Sequence, residues 1–109
     1  GSSIYVSPAI APLEYNKIKL LVELSTYRNA LFWGNIKASP TIIICATAEE
    51  YERFCQSSEG AGCSISTPLS DSYIVINHQA LNIDVMSHEM CHNEIYTRLG
   101  WWKATFMKE

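Results

Sequence analysis

The segment Ser87-His88-Glu89-Met90-Cys91-His92 commits part of this chain to a helix. Two histidines at i and i+4 share one helical face, a turn apart, so both imidazoles can reach a single ion. Glu89 follows the first histidine and is placed to take a proton from water activated by that ion. The flanking residues favour the same conformation. Asn82 suits an N-cap and Asp84 the first turn, where negative charge complements the helix dipole. Ile83, Val85, Met86, Met90, Ile95 and Leu99 supply an apolar face, and Gly100 reads as the C-terminal stop. Glu94 and Arg98 are spaced for an i,i+4 ion pair worth a few tenths of a kcal/mol.

What surrounds that helix is bounded by size and composition. A chain of 109 residues can bury one hydrophobic core, so residues 1–109 are expected to form a single domain. Hydrophobic residues at 48% against 17% charged ones argue for a folded protein rather than a disordered one. The net charge of -3 gives no support for nucleic-acid binding, which usually shows a basic patch. No apolar run approaches the roughly 18 to 20 residues of a membrane span. The start, Gly1-Ser2-Ser3-Ile4, has neither a basic region nor an apolar stretch of the kind an export signal needs.

Ahead of the motif, residues 1–12 read as extended or loosely ordered, with Pro8 and Pro12 opposing regular helix. Pro12 suits the first turn of a long helix from about Leu13 to Trp33, ended by Gly34-Asn35. Ile18, Leu21, Leu24, Tyr27 (or Arg28) and Leu31 recur at three- and four-residue spacing and are expected to be its buried face. Lys17, Lys19 and Glu23 fall on the solvated side. Thr41 to Ala46 is apolar on both sides and reads as an interior strand; Thr47 then caps a short helix over Ala48 to Cys55. Cys63 to Thr67 alternates as a half-buried strand, and Ser72 to Asn77 gives another. Of the four cysteines, Cys45 and Cys91 read as buried small hydrophobes. Cys55 and Cys63 flank a Gly/Ser-rich loop and are the pair expected to bridge.

Several of these segments together resemble a family of small bacterial gluzincin-type metallopeptidases. The likeness rests on Ile42-Ile43-Ile44-Cys45-Ala46 with Glu49-Glu50-Tyr51, on Tyr73-Ile74-Val75-Ile76-Asn77, and on His88-Glu89-Met90-Cys91-His92-Asn93-Glu94 with Arg98-Leu99-Gly100-Trp101-Trp102. The resemblance implies an α+β, zincin-like domain in which the long N-terminal helix and the metal helix pack on a small mixed sheet of about three strands. It implies Zn2+ held by His88 and His92, Glu89 as general base, and a peptide or protein as substrate.

A hydrolytic zinc site needs three protein ligands and an open position. In the family the third is a glutamate on a second helix, within a W-F-x-E-G-L-A-like segment. This sequence ends at Glu109, before any such segment. The third ligand is therefore expected to be Glu109 or a residue beyond this chain. Glu94 lies about 200° around the helix from His92, and His78 reads as a surface turn residue. The apolar Trp101, Trp102, Phe106 and Met107 suggest a further helix, absent here, or a second copy that covers them. A second class of reading stays open: a non-catalytic zincin-like module whose terminal aromatics form a partner surface. The strand before the metal helix, or that at Cys63 to Thr67, would bind substrate as an added strand in the enzyme reading.

Overall fold

The computed structural model describes residues 3–55, 61–66 and 72–106, and for residues 100–106 the backbone path alone. The chain runs β1 (Ile4–Val6), a 3-10 turn (Pro12–Glu14), α1 (Tyr15–Trp33), β2 (Thr41–Cys45), α2 (Ala48–Cys55), β3 (Gly62–Ser66), β4 (Ser72–Asn77), a second 3-10 turn (His78–Ala80) and α3 (Ile83–Phe106). It is a mixed α and β fold built on one four-stranded sheet in the order β1-β2-β4-β3. β1, β2 and β4 are parallel, and β3 is an antiparallel edge.

Two-sided apolar strands demand cover on both faces, and the helices supply it. Ile42, Ile44, Ile74 and Ile76 point to one side, where Ile18 and Val22 of α1 and Met86 and Met90 of α3 close the main core. Cys45 and Val75 point to the other side and pack with Tyr51 of α2. The outcome is three layers, with α1 and α3 on one face and α2 on the other.

Sequence expectation and structure agree closely on β2, α2 and β4. Thr47 caps α2 by accepting from the Glu50 amide at 3.2 Å, and the Glu50 carboxylate reaches back to the Ala46 amide at 2.8 Å. That reciprocal arrangement satisfies donors a helix start leaves open. Cys55 and Cys63 form a disulfide, fastening the end of α2 to β3. Cys45 is buried, whereas Cys91 is only half-buried, contrary to the expectation for it.

Three further expectations need correction. The sheet has a fourth strand, β1, in the segment read as loose; it is held to β2 by Ile42 N–H to Ser3 O at 2.8 Å and Ser7 N–H to Ile44 O at 3.0 Å. Three residues paired with a partner nearly forty positions away leave no local pattern to read. Gly100 does not end α3, which continues to Phe106. A lone glycine costs a helix only about 1 kcal/mol, and no proline follows to stop it.

The third correction concerns α1. Its buried residues are Ile18, Val22, Ser25 and Asn29, while Leu24, Tyr27 and Leu31 are exposed. Small polar residues win the inner face because they let α1 approach α3 and donate to its backbone carbonyls. Asn29 Nδ2 donates to Ser25 O and Ser87 O, both at 3.1 Å, and Ser25 Oγ donates to Ile83 O at 3.4 Å. At the rim of this contact Arg28 pairs with Asp84 at 2.8 Å.

Candidate metal centre

α3 starts where expected. Asn82 Oδ1 accepts from the Val85 amide at 2.8 Å, and Asp84 occupies the first turn. One and a half turns later the helix carries His88 and His92 on its solvent side, both exposed. Their Nε2 atoms lie 3.0 Å apart, with the rings nearly perpendicular at 82°. Two nitrogens bound to one tetrahedral ion at about 2.0–2.1 Å stand about 3.3 Å from each other. The pair is thus within a few tenths of an ångström of a chelating separation before any ion is considered.

Glu89 is turned about 100° from His88, toward β3. It is 9% exposed, and its carboxylate is held: Ser64 Oγ donates to Oε1 at 2.8 Å and also lies 3.3 Å from the Glu89 carbonyl oxygen. Gly62, two residues earlier on β3, permits this close approach. A Cβ there would sit 3.2 Å from Glu89 Cγ, 3.1 Å from Ile76 Cγ1 and 3.2 Å from Val75 O. The charge of Glu89 is felt further off. Burial pushes the Tyr51 phenol above its ordinary pKa, and Glu89 and then Cys45 push it further in the same direction.

The other residues weighed as ligands are placed elsewhere. Glu94 is 2% exposed and accepts from the Lys37 and Ala38 amides at 2.8 and 3.1 Å and from Arg98 Nε at 2.8 Å. The expected i,i+4 pair exists, but as a buried anchor for the loop entering β2 rather than as a surface contact. Arg98 also donates to Asn35 O and Oδ1, both at 2.7 Å, and lies over Trp33 at 4.8 Å. His78 Nε2 stands 3.4 Å from Glu14 Oε1, at the start of α1. Glu109 lies outside the described residues, as do the side chains of Trp101, Trp102 and Phe106. Among the described residues no third histidine, cysteine, aspartate or glutamate joins His88 and His92.

Two features frame the pair. β3 is a sheet edge beside α3, whereas β4 lies between β2 and β3 and has no free edge to offer a peptide. On the α1 side, His88 borders a shallow depression of about 310 Å³ shared with Arg28, Phe32 and Cys91. Tyr96, one turn beyond His92, is 49% exposed and is not a core residue.

Ser64 and Gly62 escaped the sequence reading. The alternation of Cys63, Ser64 and Ile65 was legible, but it suggests serine toward solvent; here the two apolar residues face α2 and Ser64 faces Glu89.

No family model matches the chain, and no curated protein or solved structure shows significant similarity to it. No helix among the described residues is long and apolar enough to cross a membrane.

Proposed function

We propose that this chain carries the metal-binding core of a zinc-dependent metallopeptidase of gluzincin type, with His88 and His92 as ligands and Glu89 as general base. One observation carries the reading: two exposed imidazole nitrogens converge to 3.0 Å on the helix that also holds the buried Glu89 carboxylate, hydrogen-bonded by Ser64. When bound, zinc supplies Lewis acidity, lowering the pKa of water to about 7 and polarising a carbonyl. The chain's own residues do the rest. The Ser64 hydroxyl occupies Glu89 Oε1, which leaves Oε2 as the atom that takes the proton and passes it to the leaving amine. A substrate peptide laid along β3 by main-chain hydrogen bonds would run past that carboxylate. The depression beside His88, with Phe32 on its wall, would receive a neighbouring side chain.

A non-catalytic zincin-like module is the second reading, and one observation favours it: the described residues supply two ligands rather than three. Zinc content after incubation and desalting separates the two. The enzyme reading expects about one zinc per chain, here or in a chain extended past Glu109. Glu89→Gln should then keep the zinc and lose hydrolysis of an unfolded protein substrate. Zinc-free protein in both lengths, or undiminished hydrolysis by Glu89→Gln, would refute it.

A further inference from the structure

The face of α1 that points away from the core is apolar. Leu20, Leu24, Tyr27 and Leu31 are 53%, 42%, 63% and 69% exposed. At 100° per residue they fall within about 60° of the helix circumference. That arc is centred roughly 160° from the buried arc of Ile18, Val22, Ser25 and Asn29. α1 therefore has two stripes, of which the domain uses the one poorer in hydrophobic residues.

The spacing of the exposed stripe is informative. Steps of four, three and four residues place Leu20 and Tyr27 at d and Leu24 and Leu31 at a of a heptad, the pattern of a two-helix seam. Glu23 then occupies a g position and Arg28 the following e position. In a parallel, in-register pair, g of one helix meets e of the next heptad on its partner. Glu23 of each copy would meet Arg28 of the other, twice over by symmetry. In an antiparallel pair g flanks g and e flanks e, so the two opposite charges would not meet. Asp84 binds Arg28 through Nη1 alone, and the guanidinium carries further donors.

We infer that a second copy of this chain docks on this face, α1 against α1, parallel and in register. The contact uses neither His88 nor His92, although Arg28 at its rim also lines the depression beside His88. The apolar seam runs only from Leu20 to Leu31, with Lys17 at the preceding a position, so two such helices make an interface at or below the low end of stable ones, about 1,200 Å². The association is accordingly weak, with Kd on the order of tens of micromolar.

Sedimentation equilibrium over about 1 to 300 µM tests it. The expected result is a reversible monomer–dimer equilibrium that Leu24→Glu and Leu31→Glu abolish and Glu23→Lys weakens several-fold. All three positions are exposed, and the circular dichroism melt of each variant should match the parent. Leu24→Cys, oxidised, should give a covalent dimer beyond any formed by the parent, because an a position meets its own copy only in a parallel pair. A monomer at every concentration would overturn the inference. So would a dimer indifferent to Leu24→Glu and Leu31→Glu, or the absence of cross-linking in a Leu24→Cys dimer. Binding of phosphatidylglycerol vesicles through the same residues without self-association would also overturn it.

Discussion

Replacing Glu94 separates an anchor from a ligand. Its carboxylate is almost wholly buried and receives two backbone amides, of Lys37 and Ala38, together with the Arg98 guanidinium. In Glu94→Ala both amides lose a charged acceptor, and Arg98 loses its counter-charge. Hydrogen bonds to a charged group are worth about 1.5–3 kcal/mol each, and removing one partner of a buried pair costs about 3–5 kcal/mol. These overlap, so the expected loss is about 4–5 kcal/mol. Glu94→Gln keeps one acceptor oxygen and should lose about half as much. Against a total stability of about 5–15 kcal/mol, the alanine variant is marginal and the glutamine variant folded. Urea unfolding followed by circular dichroism reads both, the midpoint falling while the slope is unchanged. If the parent is shown to bind zinc, the folded Glu94→Gln protein should bind it with equal affinity. A loss under 1 kcal/mol in Glu94→Ala, or a glutamine variant that is stable but loses metal, would refute the anchor argument.

Ser64→Ala should cost about 1–2 kcal/mol, because it strips a hydrogen bond from a buried carboxylate, and Ser64→Thr should recover much of that. If hydrolysis is demonstrated, Ser64→Ala should lower kcat more than it raises KM. Alkaline titration should destabilise the fold: with its pKa raised in the native state, Tyr51 favours folding fully below pH about 10, and this is lost as pH rises through the native value. Tyr51→Phe should flatten that alkaline limb, and an unchanged limb would reassign it. Reducing Cys55–Cys63, which closes an eight-residue separation, should cost about 2–3 kcal/mol in denaturant unfolding.

The most legible parts of the sequence were those whose cause is local. The start of α2 was legible because Thr47 and Glu50 contain their own start signal. β2 and β4 were legible because β-branched runs apolar on both faces have few other homes. His88, Glu89 and His92 could be placed on one helix, since i,i+4 spacing is a property of the helix itself. What was hidden depends on partners far along the chain. Either stripe of α1 repeats at three and four residues, and periodicity alone favours the one richer in leucine. The choice went to Ser25 and Asn29 because α3 offers the carbonyls of Ile83 and Ser87 at matching heights. Glu94 looked like a surface ion-pair partner because nothing within its own helix announces the loop at Lys37 and Ala38. Nothing on its own strand announces that Ser64 meets Glu89 either.

The strand order also has a consequence for how the protein is made. β4 is central, yet β1 and β2 precede it by the whole length of α2 and β3. On a ribosome adding roughly 5–20 residues per second, Cys45 is polymerised some seconds before Asn77. During that interval Ile42 and Ile44 have no neighbouring strand on the β4 side, and α3, which covers them, has yet to be synthesised. The nascent chain therefore carries an open, apolar sheet edge until β4 and α3 emerge. Its yield in a cell will depend on how well chaperones shield those few isoleucines.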